Sequence, residues 1–219
     1  MVWASQIIHD DPVECPAKEV MEFRLLYAGE WLKSASQTKT RAWEKHALRK
    51  YFHPQLKELW ERHPVLSYYS SGPNPTEANT VTIAQQLARD HERCGVGFIP
   101  LVTKSNGLVC ELDVLFLRPG NPGALLRHGG DIDNRIKVLL DSLRRPDDRS
   151  EMQSKEGDEP DPNPMYCLLQ DDSLVTKLSV TVDRLLITHD SQNENSACVV
   201  ITVTTKATNA FATPHELMF

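Results

Sequence analysis

The sequence lacks long apolar runs and paired cysteines, and each absence excludes a class of protein. No segment approaches the roughly 18 consecutive apolar residues of a membrane-spanning helix. Residues 1–12 have no basic start and only a brief apolar run, so no signal peptide is predicted. Five scattered cysteines form no CxxC pair, which argues against a disulfide scaffold (Cys15, Cys94, Cys110, Cys167 and Cys198). We expect a soluble protein of the reducing cytoplasm, without a membrane partner.

The chain also lacks an overall positive charge. Its formal net charge is −6, so any binding to nucleic acid would depend on a local basic patch. A length of 219 residues, of which 40% are apolar, is enough to bury one core. We predict a single domain over residues 20–207, with tails at 1–19 and 208–219.

The first half of this domain is predicted to be mixed in structure. A strand is expected over 19–29, followed by a polar and basic loop over 32–41. Apolar residues across 41–61 have helical spacing, but His53 precedes Pro54 and the residue before a proline resists the α conformation. We therefore expect two short helices there.

The middle of the chain carries turn signals. Residues 67–80 are rich in turn-forming residues and are predicted to be irregular, whereas 81–93 should form a helix. Two β-rich runs within 96–120 flank Ser105-Asn106-Gly107, and Asn-Gly is a strong signal for a β-hairpin. We predict a hairpin at this position.

The last third combines a helix, an insertion and strands. The charged, proline-bearing segment 146–164 has no apolar anchor and predicts an acidic surface insertion with the composition of a disordered segment. Strand character resumes over 166–187, with a break at Gln170-Asp171-Asp172-Ser173, and again over 197–205. The order of elements indicates an α/β (α+β) fold in which helices pack on a mixed β-sheet.

The stretch GGDIDNRIKVLLDSL, residues 129–143, predicts an amphipathic helix with acids at its start. Its apolar residues fall on one face (Ile132, Ile136, Leu139, Leu140 and Leu143). Asp133, Lys137 and Asp141 step along the flank of that face. Helix capping by Asp131 and an i,i+4 ion pair between Asp133 and Lys137 would explain these residues without a function.

A second interpretation is a site for a hard divalent cation. Asn134 adds a polar group where capping needs only one, and Asp171-Asp172 lies between two apolar runs, where charges are costly unless paired or bound to metal. Asp131, Asp133 and one of Asp171 and Asp172 would supply the oxygen ligands that Mg²⁺ prefers. Lys137 would stabilise phosphate charge or orient the attacking water.

These residues resemble the RusA family of Holliday junction resolvases. The similarity is carried by DIDNRIKVLLDSL, with Asp131, Asp133, Asn134, Lys137 and Asp141, followed by DDSLV from Asp171. It spans about residues 96–205 and is closest over 129–143 and 166–180. The acidic segment 146–164 and the long amino-terminal half depart from the compact family pattern.

The resemblance implies a dimeric, Mg²⁺-dependent endonuclease with a RusA-like fold that nicks opposite strands of a four-way DNA junction. Asp131, Asp133 and Asp172 would be the catalytic carboxylates and Lys137 the catalytic lysine. Asp171 would assist at the metal, Asn134 and Asp141 would support the site, and Mn²⁺ could replace Mg²⁺. Two-fold symmetry would provide two active sites for paired incisions.

Basic residues near this motif predict a surface that binds phosphates without reading sequence. The expected contacts lie around the helix and in the loop before 41 (Arg118, Arg127, Arg135, Lys137, Arg144, Arg145, Lys33, Lys39 and Arg41). A solvated charged face is the alternative explanation for each group.

Other functional classes remain open at this point. Asp131-Ile132-Asp133 could be the DxD motif of a nucleotide-sugar glycosyltransferase, although that leaves Lys137 and the second acidic pair unexplained. The chain could also be a catalytically silent binder of branched nucleic acid or of a protein partner. A nuclease of a mobile-element or phage conflict system, acting on another substrate, is a third possibility. Strand cleavage that depends on metal distinguishes a nuclease from a silent binder.

Overall fold

The structure is a computed structural model that describes residues 19–30, 38–71, 81–119, 131–154, 156–186 and 196–208. The main sheet has four strands (β1 Glu19–Glu30, β3 Leu108–Arg118, β5 Val175–Arg184 and β6 Ser196–Ala207). A second sheet pairs β2 (Phe98–Val102) with β4 (Met165–Leu169) in parallel. Within the described residues, four helices accompany them (α1 Thr38–Arg62, α2 Pro64–Ser71, α3 Ile83–Asp90 and α4 Asp131–Leu143). Single 3₁₀ turns lie at Arg149–Glu151 and Asp172–Leu174.

The four-stranded sheet has the order β1-β6-β3-β5. β6 is antiparallel to both of its neighbours, whereas β3 and β5 run parallel and are connected through α4 and β4. Alternate residues of β6 are buried along its whole length, which is the pattern of a strand with one face on a core. The mixed sheet with packed helices confirms the predicted α/β (α+β) class.

One large hydrophobic cluster connects both sheets with all four helices. It includes Leu25 of β1, Phe52 of α1, Val114 of β3, Leu139 of α4 and Leu168 of β4. A smaller cluster on the other face of the two-stranded sheet contains Phe98, Met165 and Cys167. The second sheet therefore lies between two apolar layers, which explains the continuous burial of β2.

The predicted β-hairpin is wrong. β2 and β3 flank Asn106 as expected, but β2 pairs with β4 and β3 pairs with β5 and β6. The Asn106 carboxamide accepts hydrogen bonds from the backbone N–H groups of Thr103 and Leu108 and donates to the carbonyl of Leu101. This turn redirects the chain from one sheet to the other, and Gly107 supplies its positive φ of 60°.

The predicted break in the first helical region is also wrong. α1 is continuous over 25 residues with Pro54 inside it. Its buried face runs through Phe52, Leu56 and Trp60, and this burial outweighs the loss of one backbone hydrogen bond at the proline. The helix begins at Thr38, so the expected loop over 32–41 is helical from that residue onward.

α1 also covers the free edge of β1. The Gln55 carboxamide accepts a hydrogen bond from the backbone N–H of Leu26 and donates one to its carbonyl, at 2.9 and 2.7 Å. The Tyr51 hydroxyl lies 3.3 Å from the backbone nitrogen of Ala28. These side chains satisfy edge groups that would otherwise be open to another strand.

The structure modifies one further prediction and confirms another. Residues 64–71 form α2, so the expected irregular segment 67–80 is helical up to Ser71, and the remainder lies outside the described residues. The helix expected over 81–93 is confirmed as α3, which Thr82 and Gln85 begin with a reciprocal capping box.

The segment 146–164 makes specific contacts with α1. Asp161 accepts a hydrogen bond from His46 at 2.7 Å and lies 3.3 Å from Lys50. The guanidinium of Arg49 donates to the carbonyl of Glu151. Polar contacts of this kind hold the segment in place but leave no apolar periodicity in the sequence. The composition of the segment therefore suggested disorder.

Candidate functional site

α4 presents a buried face that is rotated from the predicted one. Arg135, Val138, Leu139, Ser142 and Leu143 are buried, whereas the other predicted apolar positions are half-buried (Ile132, Ile136 and Leu140). The rotation follows from contact with α1, which packs beside α4 on this side. The acidic flank that was expected beside the stripe therefore divides into an exposed and a buried part.

Asp133 and Lys137 form the exposed part. Both side chains are exposed, and neither takes part in an ion pair or hydrogen bond within the described structure. The i,i+4 ion pair that would have explained them as simple helix stabilisers is therefore not formed. A carboxylate and an ammonium group one helical turn apart are left available to an external ligand.

Asp141 belongs to the buried part. Its carboxylate lies 2.5 Å from the ammonium of Lys45 and 3.4 Å from the guanidinium of Arg144. Because all three side chains are largely removed from solvent, this cluster joins α4 to α1. The structure therefore gives Asp141 a role in packing the helix.

Two of the predicted phosphate-binding cations are buried inside the protein. Arg144 is buried and contacts Glu151 at 2.8 Å, Asp147 at 3.0 Å and Asp141. Although burial opposes it, these carboxylates raise the pKa of Arg144. Arg135 is buried on the face of α4 that packs against the protein. The structure thus corrects the expectation that these two arginines face a nucleic acid.

A second polar region lies where β2 and β4 end. Parallel strands end at the same edge, which is where α/β folds usually place their sites. The backbone N–H of Gln170 donates to the carbonyl of Val102, and its carboxamide accepts from the backbone N–H of Lys104 at 2.9 Å. Arg145 donates from Nε to the carbonyl of Gln170 at 3.2 Å. The side chain of Lys104 is exposed next to these hydrogen bonds.

Asp171 and Asp172 directly follow Gln170 in the sequence. Asp171 caps the 3₁₀ turn by accepting a hydrogen bond from the backbone N–H of Ser173 at 2.8 Å. Hydrogen bonds from the side chain and then the backbone of Ser173, with a smaller effect of the nearby Lys104, lower the pKa of the Asp171 carboxyl below its ordinary value. Asp172 is exposed and has no partner in the described structure. Asp171 is thus a turn-capping residue, and Asp172 is the acid of the pair that is open to solvent.

The described contacts keep the two polar regions apart along α4. Leu169, at the end of β4, forms an isolated parallel β-bridge with Arg144, which directly follows α4. A helical rise of 1.5 Å per residue places Asp133 about 16 Å along the axis from that point. Within the described side chains, no three His, Cys, Asp or Glu residues form a group that could hold a metal ion. The side chain of Asp131 is outside the described part of the structure.

Several other predicted residues lie partly or wholly outside the described residues. Arg127 and Lys33 are not described, and Lys39 and Arg41 are described only as backbone in the first turn of α1. Arg118 is half-buried at the end of β3. Asn134 is half-buried and makes interactions of its own.

Sequence reasoning missed two cations of this second polar region. Lys104 and Arg93 lie close enough to affect the pKa values of Asp171 and Arg145, respectively. Lys104 is the second residue after β2 and Gln170 is the first after β4, and this common position after parallel strands was the available signal. The hairpin prediction concealed it, because it assigned β2 to the wrong partner.

Comparisons with protein-family models, with characterised proteins and with solved structures find no match to this chain. No described helix has both the length and the hydrophobicity needed to cross a membrane.

Proposed function

We propose that the protein is a Mg²⁺-dependent, RusA-like DNA endonuclease that nicks four-way junctions as a homodimer in the cytoplasm, in DNA recombination and repair. The observation that carries the proposal is the state of Asp133 and Lys137, which are exposed, one helical turn apart and without a partner among the residues that the structure describes. Charged side chains on a helix are commonly paired with each other or solvated at random, but these two occupy the motif positions at which the resemblance expects a metal ligand and a catalytic lysine.

The donor set suits a hard cation. Asp131 and Asp133 begin α4 and would hold Mg²⁺ through carboxylate oxygens, together with water. When bound, the metal would polarise a phosphate and lower the pKa of a coordinated water. Lys137 would place its ammonium against the phosphate charge, and Asn134 would orient the first turn of the helix.

Asp172 is proposed as the third catalytic carboxylate, which would act on the DNA from the second polar region, at a distance from Asp131 and Asp133. Its side chain is exposed, whereas Asp171 is committed to the 3₁₀ turn. Substituting each residue separates the two roles. Asp172→Asn should reduce cleavage without changing the free energy of unfolding, whereas Asp171→Ala should lower that free energy by about 1 kcal/mol through loss of the cap. Normal cleavage by Asp172→Asn would remove this residue from the proposed site.

The main test uses a synthetic four-way junction and a linear duplex of the same sequence. Each is incubated with the wild-type protein and with Asp133→Asn, with and without Mg²⁺. Paired nicks should appear only on the junction, only with Mg²⁺, and about 10³-fold more slowly in the variant, because several kcal/mol of transition-state stabilisation are lost. Binding of the junction should be retained or become tighter.

Asp147→Asn is the matched control. Asp147 is an exposed aspartate that follows the same helix, so this variant should cut at the wild-type rate. Cleavage of both substrates would retain the metal site and remove the junction specificity. Binding without any cleavage would replace the nuclease by a silent binder of branched nucleic acid.

A further inference from the structure

β5 is an edge strand without the protection that β1 has. It pairs only with β3 in the described sheet and is ten residues long. Most of its side chains are exposed or half-buried, and no described side chain outside the strand bonds to its free edge as Gln55 bonds to β1. A long edge of this kind is a template for another strand.

One face of β5 carries an uncovered apolar row. Leu178 and Val180 are opposite Leu112 and Val114 of β3, whose side chains are fully buried in the core. Residues opposite each other in a sheet face the same side, so the row points toward the layer that the helices cover at β3. At β5 that cover ends, because Leu178 is 40% and Val180 is 36% exposed.

The charges of β5 are self-complementary. In an antiparallel pair of identical strands centred on Val180, each residue lies opposite the one equally far on the other side of the centre. Lys177 then lies opposite Asp183 of the second copy, and Leu178 lies opposite Val182, so the symmetry produces two ion pairs and a continuous apolar row. A centre at Ser179 would instead place Lys177 opposite an uncharged threonine.

We propose that β5 pairs with β5 of a second copy of this chain, antiparallel, about a two-fold axis at Val180. The two four-stranded sheets then form one continuous sheet of eight strands. An isologous contact of this kind closes on itself and forms a dimer. The inference rests on the proposed function only in that it gives the expected homodimer a surface; its tests measure mass and cross-linking, which do not depend on cleavage.

The first test is a charge exchange followed by light scattering during gel filtration. The wild-type protein should have twice the chain mass of 24.8 kDa. Lys177→Asp should weaken the dimer about tenfold or more, because two pairs of like charges then face each other. Asp183→Lys should do the same, and the double variant should restore the dimer.

Arg24→Asp is the control for the charge exchange, since Arg24 is exposed on the opposite edge strand and should leave the mass unchanged. A monomeric wild type, or single variants that remain dimeric, would overturn the interface. Recovery in the double variant excludes misfolding as the cause of the single-variant effects.

The second test fixes the register by disulfide formation in a Cys15→Ser, Cys94→Ser background, which removes the thiol that is exposed among the described cysteines and the one that lies outside the described residues. Val180→Cys places two thiols directly opposite each other, and mild oxidation should give a covalent dimer. Leu178→Cys is the control, because its two thiols would lie about four residues apart, or roughly 13 Å. Equal cross-linking of both variants, or of neither, would overturn the register.

A dimer that does not cut DNA would retain this interface and remove the nuclease, whereas a monomer that cuts would retain the nuclease and remove this interface.

Discussion

Arg49 shows how one buried side chain can hold three segments together. Its guanidinium donates to the carbonyls of Asp141, Arg144 and Glu151, at 2.8, 3.1 and 3.2 Å. Burial lowers its pKa to about 10, which still leaves it charged at neutral pH. Arg49 therefore supplies the hydrogen bonds that the end of α4 and the following turn cannot make internally.

Arg49→Met should lower the free energy of unfolding by about 3 kcal/mol, since each of three carbonyls, two buried and one half-buried, loses a bond worth roughly 1 kcal/mol. Urea unfolding measures this change. Arg62→Met is the control, because the Arg62 side chain is 80% exposed on the same helix and its loss should be nearly neutral. Equal stability of the two variants would show that Arg49 does not anchor these segments.

Three histidines make the stability sensitive to acid. Burial lowers the pKa of His46, His53 and His91 below their ordinary value of 6.5. The unfolded chain therefore takes up protons at a higher pH than the folded chain. The stabilising contribution is complete above pH 6.5 and is lost as the pH falls through the folded pKa values.

The free energy of unfolding should accordingly decrease over the range of pH below about 6.5. Urea titrations at each pH measure it, and the imidazole chemical shifts assign the effect to individual histidines. A constant free energy across this range would contradict the lowered pKa values.

At the scale of elements, Asp161 anchors segment 146–164 to α1, and this contact can be tested. Burial raises the pKa of Asp161, but the hydrogen bond from His46 and the charge of Lys50 outweigh it, so the net pKa is lowered and the carboxylate stays ionised. Asp161→Ala should release the segment and increase amide hydrogen exchange over residues 156–163. Glu156→Ala, an exposed acid in the same segment, should leave exchange unchanged. Identical exchange in both variants would mean that Asp161 is not the anchor.

Sequence patterns predicted these elements well where their cause was local. The strands β1, β5 and β6 and the helices α3 and α4 lie close to their predicted positions. The hairpin failed because Asn106 specifies a turn but not the partners of the strands that leave it, and β2 finds its partner more than sixty residues away. α1 continues through Pro54 because the free energy gained by burying its apolar face exceeds the local preference of His53 and Pro54 for ending a helix.

The candidate site was predicted only in part for the same reason. The sequence placed Asp133 and Lys137 on one flank of α4, where they lie. It did not reveal that Asp141 and Arg144 are used between α1 and α4, since this depends on how the two helices meet. Nor did it bring Lys104 next to Gln170, which required the pairing of β2 with β4.

Considered as a whole, the molecule should unfold in one step. The large core joins both sheets to all four helices, so neither sheet keeps its core without the other. Burial raises the pKa of Cys110 in β3 and of Cys167 in β4 to about 12, so both thiols are unreactive in the folded state.

Pulsed thiol labelling at increasing urea should therefore modify Cys110 and Cys167 with the same midpoint, read by mass spectrometry of the labelled peptides. Cys94 is exposed and should react without urea, which provides an internal control. Labelling of Cys167 at lower urea than Cys110 would show that the two-stranded sheet opens independently.

The register of β1 against β6 determines how the domain responds to force. Glu19 lies opposite Lys206, so the start of the first strand and the end of the last strand are neighbours. A pull applied between these two points acts across the antiparallel ladder and loads its hydrogen bonds one after another, as in opening a zip. The domain should therefore yield at low force from these points, and a short peptide joining them would close residues 19–206 into a ring without distorting the sheet.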